Sequence, residues 1–117
     1  MNTMNWFIAH LVGDFLLQTD WMAKNKKEDS WACTAHVACY MLPFLLLADL
    51  TWQQFILITA QHWIQDRTYI VKLSMIHITR QRNFAQNEMF LPWSLIVVDN
   101  VWHLIWLYII IERGIPL

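Results

Sequence analysis

The sequence predicts an all-α fold, a four-helix transmembrane bundle, on three observations. First, 57% of the 117 residues are hydrophobic and 15% charged, against the roughly 25% charge of soluble domains. Second, the apolar residues fall in four runs, two of them near the ~20 residues a helix needs to cross hydrocarbon. Third, Trp6, Trp21, Trp31, Trp52 and Trp93 stand near the ends of those runs, where an interfacial aromatic belt is found. Length points to one membrane domain, 1–117. The composition excludes a disordered chain and a disulfide-stapled secreted module. A net charge of -1 gives no electrostatic basis for nucleic-acid binding.

The first helix is expected over about 4–18 and is short. Lys24, Lys26 and Lys27 follow it in a polar connection. The second helix, about 31–50, is apolar nearly throughout, with Pro43 as the expected kink point. Cys33 and Cys39 lie on it facing different directions, which excludes a bond between them. Asp49-Leu50-Thr51 makes a tight connection to the third helix, about 52–71, which carries several polar groups. A longer connection bearing Lys72, Arg80 and Arg82 precedes the fourth helix, about 90–111. A soluble bundle with a Trp-rich core is the competing reading. The second and fourth segments, however, show no polar face wide enough for water.

The basic residues set the topology. Lys24, Lys26 and Lys27 lie after the first helix, Arg67, Lys72, Arg80 and Arg82 at the end of the third or after it, and only Arg113 falls on the other side. The positive-inside rule then makes both basic connections cytoplasmic and both termini external, in a multi-pass protein of the inner (cytoplasmic) membrane. No basic segment precedes Trp6, so no signal peptide is expected.

Four His and three Asp lie well within these spans: His10, Asp14, His36, His62, Asp66, Asp99 and His103. A charged group at the bilayer centre costs about 2.5–3.5 kcal/mol on insertion scales, so the three carboxylates must meet partners. His10 with Asp14, His62 with Asp66 and Asp99 with His103 are each four residues apart, one turn along a single helix face. In every pair the histidine lies nearer the outside. At about 1.5 Å per residue from the cytoplasmic ends, Asp14 and Asp66 come out roughly 6–8 Å deep, and His36 about 8 Å. His10, His62 and Asp99 come out roughly 12–14 Å deep, and His103 near 20 Å.

This set suits a divalent metal (Zn, Mn or Fe), since imidazole and carboxylate together are its ordinary ligands. All seven residues are candidate ligands. Asp14, Asp66 and Asp99 double as candidate general bases, and His36 as a ligand or acid. The competing reading is a His–Asp hydrogen-bond network that fixes packing or relays protons. Gln18, Lys24, Lys26, Lys27, Arg67 and Lys72 are candidates for a cytoplasmic mouth that holds an anionic lipid or another phosphate-bearing substrate. Gly13 permits close helix approach, Asn100 is placed to orient Asp99 or to bond across helices, and His77 reads as an exposed loop residue.

The run His10-Leu-Val-Gly-Asp14-Phe15-Leu-Leu-Gln18, followed by Asp20-Trp21-Met22-Ala23, resembles the opening signature of a small bacterial and phage polytopic membrane family of unknown function. The likeness continues through His36, Pro43-Phe44, His62, Asp66 and Lys72 to Asp99-Asn100-x-x-His103. Asn100 departs from the Gln more usual there. The resemblance implies a membrane protein with shared His and Asp positions and no settled activity. A looser similarity to membrane-bound metal-dependent hydrolases rests on the intramembrane His and Asp alone.

Two functions follow as expectations. In one, a metal lowers the pKa of a coordinated water toward about 7 and a phosphoester or acyl-lipid bond is hydrolysed. In the other, the protein is a non-enzymatic membrane binding module whose His/Asp network is structural. A proton or cation path is disfavoured by the scarcity of polar groups toward the outside. A homodimer through Trp102 and Trp106 is a further expectation, because four short helices bury little area.

Overall fold

The computed structural model of the protein describes residues 3–114, which are helical with no strand among them. Seven α-helices follow in order: α1 (Thr3–Leu11), α2 (Asp20–Asn25), α3 (Ser30–Leu47), α4 (Trp52–Arg67), α5 (Ile70–His77), α6 (Arg82–Gln86) and α7 (Trp93–Leu107). α1 continues as a wider π-helical turn over Val12–Leu16, and α7 as a second one over Tyr108–Gly114. At the end of the first, the Leu17 amide reaches back five residues to the Val12 carbonyl at 3.0 Å.

Local chemistry explains the boundaries. Thr19 accepts from the Met22 amide to start α2, and Asp29 accepts from the Trp31 amide to start α3. Thr51 and Gln54 cap each other's backbone in a reciprocal box, so α4 begins one residue later and the α3–α4 connection is tight. α4 ends at Arg67 rather than 71. The chain bends at Thr68 and starts α5 at Ile70, whose apolar face (Val71, Met75) packs with Ala85 of α6 and with Leu95, Val98 and Trp102 of α7. Trp102 is thus engaged inside the chain, while Trp106 stays exposed. The segments α2, α5 and α6 are helices where only polar connections were expected.

α1, α3, α4 and α7 run antiparallel to their neighbours. At one end, Glu112 accepts from Thr3 Oγ1 (2.6 Å) and Trp6 Nε1 (2.8 Å), and Gln54 reaches the Ile110 carbonyl. At the other end, the two basic connections meet. Lys27 Nζ donates to the carbonyls of Asp66 (3.1 Å) and Thr68 (3.0 Å), covering the C-terminus of α4, and Arg67 donates to the Lys27 carbonyl and to Ser30. The main apolar core joins Trp6, Ala9, Val37, Tyr40, Met41, Phe44, Ile58, Leu107 and Ile110. Cys33 sits in that core and Cys39 is half-buried, both free. Pro43 is buried within an unbroken α3.

Ser30–Leu47 and Trp93–Gly114 are long and apolar enough to cross a membrane. Much of their surface faces outward, including Trp31, Leu45, Leu46, Trp93, Ile96, Val97 and Val101.

Candidate metal centre

A close approach of the first helix to α3 creates the site. A Cβ on Gly13 would lie 2.7 Å from the Tyr40 carbonyl oxygen and 2.8 Å from its ring, so only glycine lets α1 lie this near α3. The next residue, Asp14, sits in the π-helical turn, where wider winding re-aims a side chain inward. His36 and Tyr40 of α3, His62 and Asp66 of α4 and His103 of α7 project into the same interior. His10, His36, His62, Asp66 and His103 are fully buried, and Asp14 is nearly so.

Four ligand atoms converge most tightly. His36 Nε2 lies 3.1 Å from Asp14 Oδ1 and 2.8 Å from Asp66 Oδ2, and His62 Nε2 lies 3.3 and 3.0 Å from the same two oxygens. The two ring nitrogens are 3.0 Å apart. Four ligands about 2.0 Å from a tetrahedral ion are separated by about 3.3 Å, close to these five distances. Protons suit the set less well. Two ring nitrogens carry at most two protons here for five contacts, and two N–H groups facing each other repel. Asp14 Oδ1 moreover is buried without a hydrogen-bond partner, although ring nitrogens of His36 and His62 stand 3.1 and 3.3 Å from it. The Nδ1 atoms of His36 and His62 are buried without a partner as well.

A second, looser group joins Asp14, Asp99 and His103, whose ligand atoms lie within 4.8 Å of one another. His103 Nε2 is 3.4 Å from Asp99 Oδ2 and 3.0 Å from Asp66 Oδ1. Its ring stacks on that of His62 at 3.9 Å, and His62 in turn stacks on Tyr40 at 3.7 Å. His103 therefore shares a level with His62 rather than lying several ångströms beyond it. His10 stands at the edge. It is 3.9 Å from Asp14 and hydrogen-bonded to Tyr40 Oη (2.9 Å) and Asn100 Oδ1 (2.8 Å). Asn100 thus partners His10, not Asp99.

A cavity of about 460 Å³ opens beside the second group, lined by Asp14, Asp99, Gln18, Lys26, Lys27 and Lys72, with Phe15, Val71, Leu95 and Ile96 among its apolar walls. Lys26 Nζ bridges Gln18 (2.9 Å) and Asp66 (3.2 Å). Burial lowers the Lys26 pKa, but Asp66, Asp14 and Asp99 outweigh it and hold the ammonium above its usual range. Lys27 goes the other way, because burial dominates and lowers its pKa. Lys24 is exposed on α2, Arg67 is turned toward Ser30, and His77 is exposed at the end of α5; none of the three lines the cavity. Sequence reasoning missed Tyr40, Gln61 and Gln65, which contact the His/Asp set. Tyr40 stands four residues after His36, and Gln65 four after Gln61, to which it is hydrogen-bonded; that spacing is the signal that could have found them.

The family model described as "Protein of unknown function (DUF3307)" matches residues 3–116, so the chain belongs to that family. None of the curated proteins and none of the solved structures matches it.

Proposed function

We propose that the protein is a small integral membrane protein whose buried His/Asp cluster binds a divalent metal and serves hydrolysis of a phosphoester, with a phosphate-bearing lipid as the substrate class. The observation that carries the metal is the tight convergence of Asp14, His36, His62 and Asp66, whose ligand atoms all lie within 4.8 Å of one another with five of their spacings at 2.8–3.3 Å. Charge supports it too. With neutral imidazoles, a divalent cation and Lys26 offset the negative charge of the carboxylates of Asp14, Asp66 and Asp99.

α1, α3, α4 and α7 are read as the four spans, with both basic ends cytoplasmic and both termini outside, in the inner membrane. The outward apolar faces of α3 and α7 support this, as does the meeting of Lys26, Lys27 and Arg67 at one end. The cavity suits an anionic headgroup on Lys26, Lys27 and Lys72, with its apolar body against Phe15, Leu95 and Ile96. When bound, the metal would lower the pKa of a water toward about 7. For a phosphoester held in the cavity, Asp99 at the wall would accept the proton of a water attacking phosphorus, and a lysine at the mouth would give a proton to the departing ester oxygen. His36 is buried away from the cavity and is taken as a ligand rather than an acid.

A second reading, a non-enzymatic module with a structural ion, is favoured by the closure of the first set, because four protein ligands are the structural pattern. The test is turnover of a lipid phosphoester in mixed micelles by wild type and Asp14→Ala. Loss of turnover with folding intact supports hydrolysis, and absence of turnover in the metal-loaded wild type overturns it. Removal of the ion by a chelator separates the readings: a structural ion resists and its loss unfolds the protein, whereas a catalytic ion leaves a folded apo form.

A further inference from the structure

We infer that the centre holds two cations, the second in the three-ligand position of Asp14, Asp99 and His103, and that this second position is the one that faces substrate. The inference rests on the proposed metal centre. Three observations carry it.

The first is the direction of a hydrogen-bond chain. Gln65 Nε2 donates to the Asp99 carbonyl (2.8 Å) and to Asp99 Oδ1 (2.9 Å). Its Oε1 is then the acceptor for Gln61 Nε2 at 2.6 Å. That leaves Gln61 Oε1 facing His103 Nδ1 at 3.4 Å, so Nδ1 carries the proton. His103 Nε2 lies 3.0 Å from Asp66 Oδ1 and 3.4 Å from Asp99 Oδ2. With Nδ1 already a donor, the contact needs a positive charge, carried either by a second ring proton or by a cation bound at Nε2. The second set, whose three ligand atoms lie within 4.8 Å of one another, offers a cation that place. An outer partner that fixes the tautomer of a ligating histidine is also what metal sites ordinarily show.

The second observation is that Asp66 divides its oxygens. Oδ2 touches His36 and His62 of the first set, and Oδ1 touches His103 of the second. Asp14 belongs to both sets. Two carboxylates thus link the positions, as bridging ligands link paired metals.

The third is access. Two of the three ligands of the second set, Asp14 and Asp99, line the 460 Å³ cavity, with His103 behind them, whereas of the first set only the shared Asp14 does. Four protein ligands close a site, while three leave a coordination position for water or substrate. The first set is therefore the closed anchor and the second the open position. A second divalent ion leaves the centre with two net positive charges, which a phosphate dianion in the cavity neutralises. Paired ions also suit in-line displacement at phosphorus, by holding both the attacking and the leaving oxygen.

The experiment is metal stoichiometry of the full chain in detergent after equilibration with Mn²⁺ and removal of free ion, for wild type and Asp99→Asn. The expected result is about two ions per chain in the wild type and about one in the variant. One ion in both overturns the inference and leaves the metal centre standing, with His103 then an imidazolium paired to Asp66. Two ions in both, or one falling to none, overturns the assignment to Asp99. No ion in either overturns the proposed centre itself. Should Asp99→Asn fail to fold, electron paramagnetic resonance of wild type at two equivalents of Mn²⁺ decides. An exchange-coupled spectrum supports the pair, and a purely mononuclear one overturns it.

Discussion

Gly13→Ala adds one methyl group beside Asp14. The added Cβ would stand 2.7 Å from the Tyr40 carbonyl oxygen, where ordinary contact begins at 3.4 Å, so α1 must retreat from α3 by up to about 0.7 Å. Overpacking of this kind costs about 1–3 kcal/mol. The same movement carries Asp14 away from α3 and α4. Its 3.1 and 3.3 Å spacings to His36 and His62 would then grow to about 3.8 and 4.0 Å, beyond the ~3.3 Å edge of a tetrahedral zinc site. If half or more of the steric cost appears in binding, Zn²⁺ affinity falls roughly 3–100-fold, since about 1.4 kcal/mol is a factor of ten. The assay is a Zn²⁺ titration in detergent against a competing chelator, with helical content followed by circular dichroism. Wild-type affinity in a folded Gly13→Ala protein would refute the reasoning that places Asp14 in the set through this contact.

Asp66→Asn leaves the half-buried Lys26 opposite a neutral amide and disrupts contacts to three histidines. The expectation is a loss of about 3–5 kcal/mol in stability, read by denaturant titration, together with loss of metal; a change below 1 kcal/mol contradicts it. Lys27→Met keeps the apolar stem and removes the ammonium over the end of α4. The Lys27 pKa is lower folded than unfolded, so wild type is penalised while the group is charged in both states, and the penalty fades as pH rises toward 10.5. Unfolding measured at pH 8 and pH 10 is therefore expected to show wild type gaining on the variant at the higher pH, and a gain by the variant reverses the sign argued. Tyr40→Phe removes the hydroxyl that holds His10 Nδ1 at 2.9 Å but keeps the ring stacked on His62. It is expected to cost about 1 kcal/mol and to spare metal content, and a metal-free Tyr40→Phe protein contradicts the placement of His10 at the edge.

Much of the site was legible because its residues are unusual where they stand. An Asp or His within an apolar run is costly, and spacing by four put three pairs on three inward faces. The pairing itself was less legible. Within the helices the pairs stand at 3.9, 3.0 and 3.4 Å, whereas His36, with no carboxylate on its own helix, approaches Asp66 at 2.8 Å and Asp14 at 3.1 Å. Periodicity reports one helix face at a time, and contacts across helices depend on axial offset. The depth of His103 failed for that reason: α7 begins near Trp93, later than the apolar run suggests. Apolar content located α3 and α7, whose sequences are hydrophobic on all sides. It could not resolve α2, α5 and α6, which are 5–8 residues long and form only because tertiary packing supports them. Tyr40, Gln61 and Gln65 are common residues in ordinary helical positions, so the spacing by four from His36 to Tyr40 and from Gln61 to Gln65 carried little weight until geometry showed their role. Gly13 was marked by its place between His10 and Asp14, and its contact with Tyr40 gives that mark a physical cause.

The central claim is that the buried His/Asp cluster is a metal centre. Elemental analysis of detergent-purified wild type beside the double variant His62→Ala, Asp66→Ala tests it most directly. The account predicts at least one divalent ion per chain in the wild type and none retained at the first set in the variant. A metal-free wild type after equilibration with Zn²⁺ and Mn²⁺, with the variant merely less stable, would contradict it and make the cluster a packing network.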